Sequence, residues 1–346
     1  MRIPQLNRTA TPARLNKHRG KWSEMKAVQV VKYGDAVEGV ELREIPDPGA
    51  PAPGEALVSM EFSPINFNDL MVIWGIYSWK PELPAVMGNE GAGKVIAVGE
   101  GVSPVNVGDR VVLPFTARKW QQRVLVPANE LVVVPPDADP RQAAMMAINP
   151  VTAELLLRDY VDLRPGDAIV YNSATSGLAH WLAALAGKRG VRTIGLVRRR
   201  EDIERVNKSG CEIIVVDDGD VSEAQARIQG LNVRLALDVV GGASAGRLLH
   251  LLSPHGKLVT YGAVSGKPME LSGAVMIWKQ LSAEGFYEGH PHILPKIAPV
   301  LRELVNMIGP GGVRQPIAAI YPIDQIKEAV AHAIRGGKVL LSLNDK

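Results

Sequence analysis

The chain carries one cysteine, Cys211, in 346 residues. A single thiol excludes an internal disulfide and any zinc site built on several cysteines, and it suits a reducing compartment. No apolar run approaches the ~20 residues of a membrane-spanning helix, so a membrane role is not expected. Acids are nearly missing from residues 1–24, where six bases (Arg2, Arg8, Arg14, Lys17, Arg19, Lys21) face only Glu24. With that +5 set aside, the formal charge of +3 becomes −2 for the remainder, which gives no signal for nucleic acid. The leader also lacks an apolar h-region, so it is not a secretory signal. It is Arg-rich and acid-poor like a mitochondrial transit peptide, yet poor in serine. A disordered tail and a natural start near Met25 are the competing readings. Those two leave the protein in the cytoplasm; a transit peptide would take it to the mitochondrial matrix.

Hydrophobic content of 46% and charged content of 22% are ordinary for a globular chain, and the length suits two domains. From Met25 to Pro136, runs of four to eight β-formers alternate with Pro/Gly turns, which predicts an antiparallel, barrel-like domain. After a partly helical stretch at 141–157 the texture changes to alternating strands and helices. Strands are expected at 168–172, 192–197, 212–216, 234–240, 257–261 and 279–286, with a helix at 243–252 among those between them. Six parallel strands with crossovers make a doubly wound sheet. The tail reads strand, helix, strand, and its last strand is expected to return to the first domain. The apolar run 273–278 beside strand 279–286 points to an edge-to-edge homodimer.

The stretch from Ala168 to Arg200 is the most telling. A buried strand (AIVY) breaks into a small-residue turn (NSATSGLA, 172–179), an apolar helix follows, and a second apolar run ends in Arg198-Arg199-Arg200. This is the opening unit of a dinucleotide-binding fold. Small residues let a pyrophosphate reach backbone N–H groups at a helix N-terminus. The glycine fingerprint is degenerate, with Ala174, Ser176 and Ala179 at its three places and Gly177 between the last two. An acid at the end of the second strand would take the ribose hydroxyls of NAD, whereas arginine accommodates a 2′-phosphate. Three guanidinium groups stand there, so the cofactor reads as NADPH. The competing reading of these arginines is a solvated cluster.

A β-domain, a doubly wound insert and a returning C-terminus together resemble the medium-chain dehydrogenase/reductase superfamily over residues 25–346. GNEGAGKV (88–95), the Gly108-Asp109 turn block (106–114) and the stretch 166–179 look like its ordered motifs. The resemblance implies a GroES-like β-barrel catalytic domain (25–147 with 292–346) and a Rossmann domain (148–291). Zinc-dependent members carry a His where this chain has Asn89, a Cys before it and a four-cysteine lobe. Asp69 and Glu90 alone cannot hold zinc, so no metal is expected.

Within the zinc-free branch, residues 64–91 look most like the mitochondrial-type 2-enoyl thioester reductases. That resemblance implies Tyr77 as the catalytic tyrosine and Asn66 as the residue orienting it or the nicotinamide. It assigns to NADPH Asn149 and Thr152, the turn Asn172, Ala174, Thr175, Ser176, Gly177, Leu178 and Ala179, the cluster Arg198, Arg199 and Arg200, then Tyr261, Gly262, Phe286 and Lys338. A packing tyrosine competes at Tyr77, a turn cap at Asn66, and a solvated lysine at Lys338. At Phe286-Tyr287 the chain departs from the family's Phe-Trp. The implied activity is reduction of an enoyl thioester carried on CoA or acyl carrier protein. NADPH:quinone oxidoreductases and reductases of small activated alkenes such as 2-haloacrylates or enones share the framework, and a non-catalytic NADPH-binding protein is the third reading.

Overall fold

A computed structural model describes residues 24–344 other than 104, so the basic leader lies outside the described residues. The strands of residues 24–133 pair antiparallel. Strand Glu24–Val30 pairs with Val40–Pro46 across a full seven-residue ladder from Glu24↔Pro46 to Val30↔Val40. The longest strand, Glu55–Ile65, is the hub of a second sheet, pairing with Ala92–Val98, with Arg123–Pro127 and with Val339–Ser342. The tail therefore does return: Ala319–Pro322, helix Ile326–Arg335, then Val339–Ser342, parallel to Ala319–Pro322 and beside Ile65 in this second sheet. Aliphatic side chains on the inner faces, among them Val28, Val58, Met60, Val95 and Leu341, close this core around Trp120.

The second part holds six strands, all parallel, in the order Ile213–Val216, Arg192–Val197, Asp167–Tyr171, Asn232–Asp238, Lys257–Thr260, Ser282–Gly285. Counted along the chain this order is 3-2-1-4-5-6. It places a crevice beyond the carboxyl ends of Asp167–Tyr171 and Asn232–Asp238, where the winding reverses. Every residue of Asp167–Tyr171 is buried, as expected where helices cover both faces of a parallel sheet.

Two boundaries differ from the sequence reading. The strand expected at 279–286 is present but shorter, Ser282–Gly285, and the apolar run before it, 273–278, belongs to a helix, Gly273–Lys279. Ser272 caps the helix by accepting from the Val275 N–H (3.4 Å), and Gln280 closes it in the left-handed region at φ 52°. A short apolar run has no period that separates helix from strand, so its caps decide. Ile277 and Trp278 on this helix are 74% and 82% exposed. The other difference is at residue 292. Helix Leu294–Leu304 packs beside Asn149–Arg158, and Ile293, Ile297, Val300 and Leu301 share the core of Ile169 and Trp181. We place the crossing back to the first domain after Ile308.

Gly88 positions the segment that carries Asn89 and Glu90. Its φ is +96°, and a Cβ there would lie 2.4 Å from Cδ1 of the fully buried Trp120. Gly88→Ala combines left-handed strain with overpacking, each of order 1–2 kcal/mol, and should destabilise the protein by about 2 kcal/mol or more. Urea unfolding tests this; an unchanged midpoint would show that the backbone adapts freely.

Candidate active site

The turn after Asp167–Tyr171 is built largely by packing. The Asn172 side chain donates to Asp238 Oδ1 (2.6 Å) and Ser244 Oγ (3.1 Å), and accepts from the Val239 N–H (2.9 Å). Asn172 thus clamps two strand ends together from below and does not line the cleft. Ala174 and Ala179 are likewise core residues. Ser176 caps helix Gly177–Lys188, its Oγ accepting from the Ala179 N–H at 3.2 Å. Gly177 answers a close approach: a Cβ would lie 2.4 Å from Gln315 Oε1 and 2.8 Å from Asn149 Nδ2. Those two amides are bonded to each other at 2.8 Å, and Gln315 also donates to the Met145 carbonyl at 3.1 Å. The glycine therefore serves the seam between the domains as well as the turn.

Thr175, Ser176, Gly177 and Leu178 do face a cleft of about 1140 Å³. Asn149, Thr152, Tyr261, Gly262 and Phe286 line it too, and so do Asn66, Tyr77 and Lys338 from the antiparallel part. Twelve of the side chains assigned from sequence are thus in one place. The arginine cluster is not. Arg198, Arg199 and Arg200 are exposed and absent from the cleft wall, and Arg199 pairs with Asp202 (3.1 Å) and Glu201 (3.4 Å). Besides Lys338, the basic residues that do line the cleft are Arg205, on the short helix Ile203–Asn207, and Lys267, neither of which the sequence singled out.

Around Tyr77 the side chains form a buried ionic cluster. Asn66 stands at the N-cap of helix Phe67–Ile73, and its backbone N–H donates to Asp69 Oδ2 (2.9 Å). Its side chain donates to Glu90 Oε2 (3.0 Å) and accepts from Lys338 Nζ. Lys338 is therefore a partly buried partner of the site rather than a solvated lysine. Burial pushes the Asp69 carboxyl up to about 7 and raises Glu90 as well. Burial, then Arg118, bring Lys119 down to about 7. The Tyr77 phenol is driven above its ordinary value by burial first, then by Tyr287, Glu288 and Asp69 nearby, so it stays protonated. Its ring meets that of Tyr287 edge-on, centroids 6.4 Å apart.

Two family profiles match: one described as Alcohol dehydrogenase GroES-like domain over residues 52–136, the other as Zinc-binding dehydrogenase over 177–303. The mitochondrial enoyl-[acyl-carrier-protein] reductase of Rattus norvegicus is 31% identical over 324 residues, covering 90% of this chain and 86% of the relative. The chain belongs to the medium-chain dehydrogenase/reductase superfamily. Its enoyl-reductase-like branch is the one it resembles in sequence, and it is accordingly an oxidoreductase. Among solved structures, a provisionally named NADPH:quinone reductase from Bacillus thuringiensis superposes with TM-score 0.82 at 26% identity, covering 93% of this chain and all of the other. The Candida tropicalis Etr1p complex with NADP and crotonyl-CoA superposes equally well, TM-score 0.82 at 23% identity, over 92% of this chain and all of that one.

The zinc named by the second profile does not fit the residues present. Asn89 has its side-chain oxygen accepting from Arg118 (2.9 Å) and its carbonyl accepting from Lys119 Nζ (2.9 Å), so two cations occupy the ground a metal would need. Among the described residues, no group of three or more His, Cys, Asp or Glu is arranged to hold a metal. Elemental analysis of the purified protein should find well below one equivalent of zinc, and a chelator should leave turnover intact. Stoichiometric zinc with chelator-sensitive activity would overturn this assignment.

Proposed function

We propose that this reductase uses NADPH to reduce the C=C bond of a 2-enoyl thioester carried on CoA or acyl carrier protein. The observation that carries the reading is that the half-buried Tyr77 lines one cleft with Asn66, Lys338 and the helix N-terminus Ser176–Gly177, and burial favours its protonated form. NADPH, when bound, would supply a hydride to the β-carbon, and a proton from water would complete the new C–H bond at the α-carbon. Backbone N–H groups of Thr175, Ser176 and Gly177 would hold the pyrophosphate, with Asn149, Thr152, Tyr261, Gly262 and Phe286 along its length. As the hydride arrives, negative charge grows on the thioester carbonyl oxygen. The Tyr77 hydroxyl donates to that oxygen, and a phenol suits the task because it gives a hydrogen bond while staying neutral. Asn66, pinned by Glu90 and Lys338, positions the groups around it. Names of the 31%-identical relatives favour the thioester, and the quinone reductase neighbour favours a planar acceptor as the second reading.

The exposed edge strand Ser282–Gly285, flanked by Ile277 and Trp278, supports a homodimer joined edge to edge. No helix of the described residues is long and apolar enough to cross a membrane. A reducing aqueous compartment fits the buried, unpaired Cys211. We favour the cytoplasm; the mitochondrial relatives support the matrix instead if residues 1–24 are a transit peptide.

Arg198 and Arg200 remain our assignment for the 2′-phosphate, since both are exposed near the end of Arg192–Val197 while Arg199 is occupied. Replacing both by alanine should remove roughly 2–4 kcal/mol of NADPH binding, taking ~1.5–3 for each charged hydrogen bond with imperfect additivity. NADH affinity should hardly move. Equal losses for both cofactors in a titration would transfer the role to Arg205.

Tyr77→Phe keeps the ring and its packing, so folding and NADPH affinity should stay near wild type. With crotonyl-CoA, kcat should fall ~10²–10³-fold, the usual effect of deleting one oxyanion donor. Quinone reduction should suffer less. Undiminished enoyl turnover by a folded variant would favour the quinone reading.

A further inference from the structure

Glu288 stands in the cleft wall directly after Tyr287, the ring that meets Tyr77. It is only 9% exposed, and its Oε1 is a buried atom with no hydrogen-bond partner. Other buried carboxyls of this chain are arranged differently. Both oxygens of Glu90 accept hydrogen bonds, from Ile148 N–H and Asn66 Nδ2, and both oxygens of Asp238 do so as well. A structural carboxylate is satisfied in that way, whereas an unpartnered one is costly and takes up a proton instead. Burial pushes the Glu288 carboxyl well above the usual carboxylate range, Glu90 pushes it the same way, and Lys119 opposes them. That shift favours the protonated form, a carboxylic acid with a proton to offer.

We propose that Glu288 is a second hydrogen-bond donor to the carbonyl oxygen of the bound thioester, beside Tyr77. The proposal rests on the enoyl reductase reading above. A carbonyl oxygen has two lone pairs, and an enolate-like oxygen gains most from two preorganised donors. A phenol and a neutral carboxylic acid make a suitable pair, because both donate without bringing a charge into a dry site. The sequence concealed this. A lone acid in the stretch Tyr287-Glu288-Gly289-His290-Pro291 reads as a solvated loop residue.

The test uses the full-length enzyme with NADPH and crotonyl-CoA. Glu288→Leu should lower kcat ~10²–10³-fold with little change in NADPH affinity. Glu288→Gln should keep kcat within about tenfold of wild type, because an amide N–H still donates. The donor form is lost as pH rises through the raised pKa, so wild-type kcat should fall on the alkaline side, and Glu288→Gln should lack that limb. Tyr77, Tyr287, Glu90, Asp69, Lys119 and Lys338 surround the site and are unchanged in the variant. An alkaline limb that persists in Glu288→Gln therefore belongs to one of them and overturns the proposal. So does a Glu288→Gln loss as deep as that of Glu288→Leu, which would make the carboxyl a proton donor rather than a hydrogen-bond donor. An infrared difference spectrum of wild type minus Glu288→Gln should show a protonated carboxyl at neutral pH, and carboxylate bands in its place would overturn the idea whatever the substrate. A wild-type enzyme that reduces no enoyl thioester removes the functional reading and this role together. An active wild type with an indifferent Glu288→Leu removes this role alone.

Discussion

The Glu90 carboxylate ties the two halves of the molecule together at the cleft. One oxygen accepts from Asn66, the cap of helix Phe67–Ile73 in the antiparallel part. The other accepts from the Ile148 N–H (2.8 Å), at the start of helix Asn149–Arg158. A carboxyl buried this deeply is tolerated only when its lone pairs are filled, and leaving such a buried acceptor without its partner costs roughly 1–3 kcal/mol. The position of Tyr77's surroundings relative to the dinucleotide crevice therefore depends on this carboxyl. Gln315 makes a second tie, bonded to Asn149 and to the Met145 carbonyl.

The burial that strengthens this tie also tunes the site. Taking side chains out of water disfavours their charged forms, so Asp69, Glu90, Glu288 and Tyr77 move up while Lys119 and Lys338 move down. In the reading proposed above, neutral donors then stand where a substrate oxygen would gather charge, and Lys119 and Arg118 both bond to Asn89. A low dielectric makes both arrangements more effective than they would be in water.

Much of the architecture was legible in the pattern of residues. Continuous apolar runs marked the central parallel strands because strands covered on both faces have no polar side. Pro/Gly punctuation marked the antiparallel part, and the tail's strand–helix–strand texture led correctly to Val339–Ser342 beside Ile65. Within the site, Tyr77, Asn66 and the turn Thr175–Leu178 were legible through their motifs, Lys338 only as a lysine before the last strand for which a solvated role was the better reading, and all of them line one cleft. Asn172 was identified but belongs to packing, and Gly177 serves the seam with Gln315 as well as the turn, since each meets a partner more than 60 residues away. Arg205, Glu288 and Gln315 carried no local signal.

What the sequence determined by itself is what depends on near neighbours along the chain: strand and helix periodicity, the small-residue turn, the lone thiol and the missing zinc ligands. Only the tertiary structure decided which charges are buried, because burial depends on segments that meet from far apart. Glu90 meets Ile148 across 58 positions, and Lys338 meets Asn66 across 272. The same glutamate in water would be an ordinary anion. Buried in the cleft wall, Glu288 has its carboxyl pushed well above the usual carboxylate range, and that difference lies in the dielectric of its surroundings rather than in its letter.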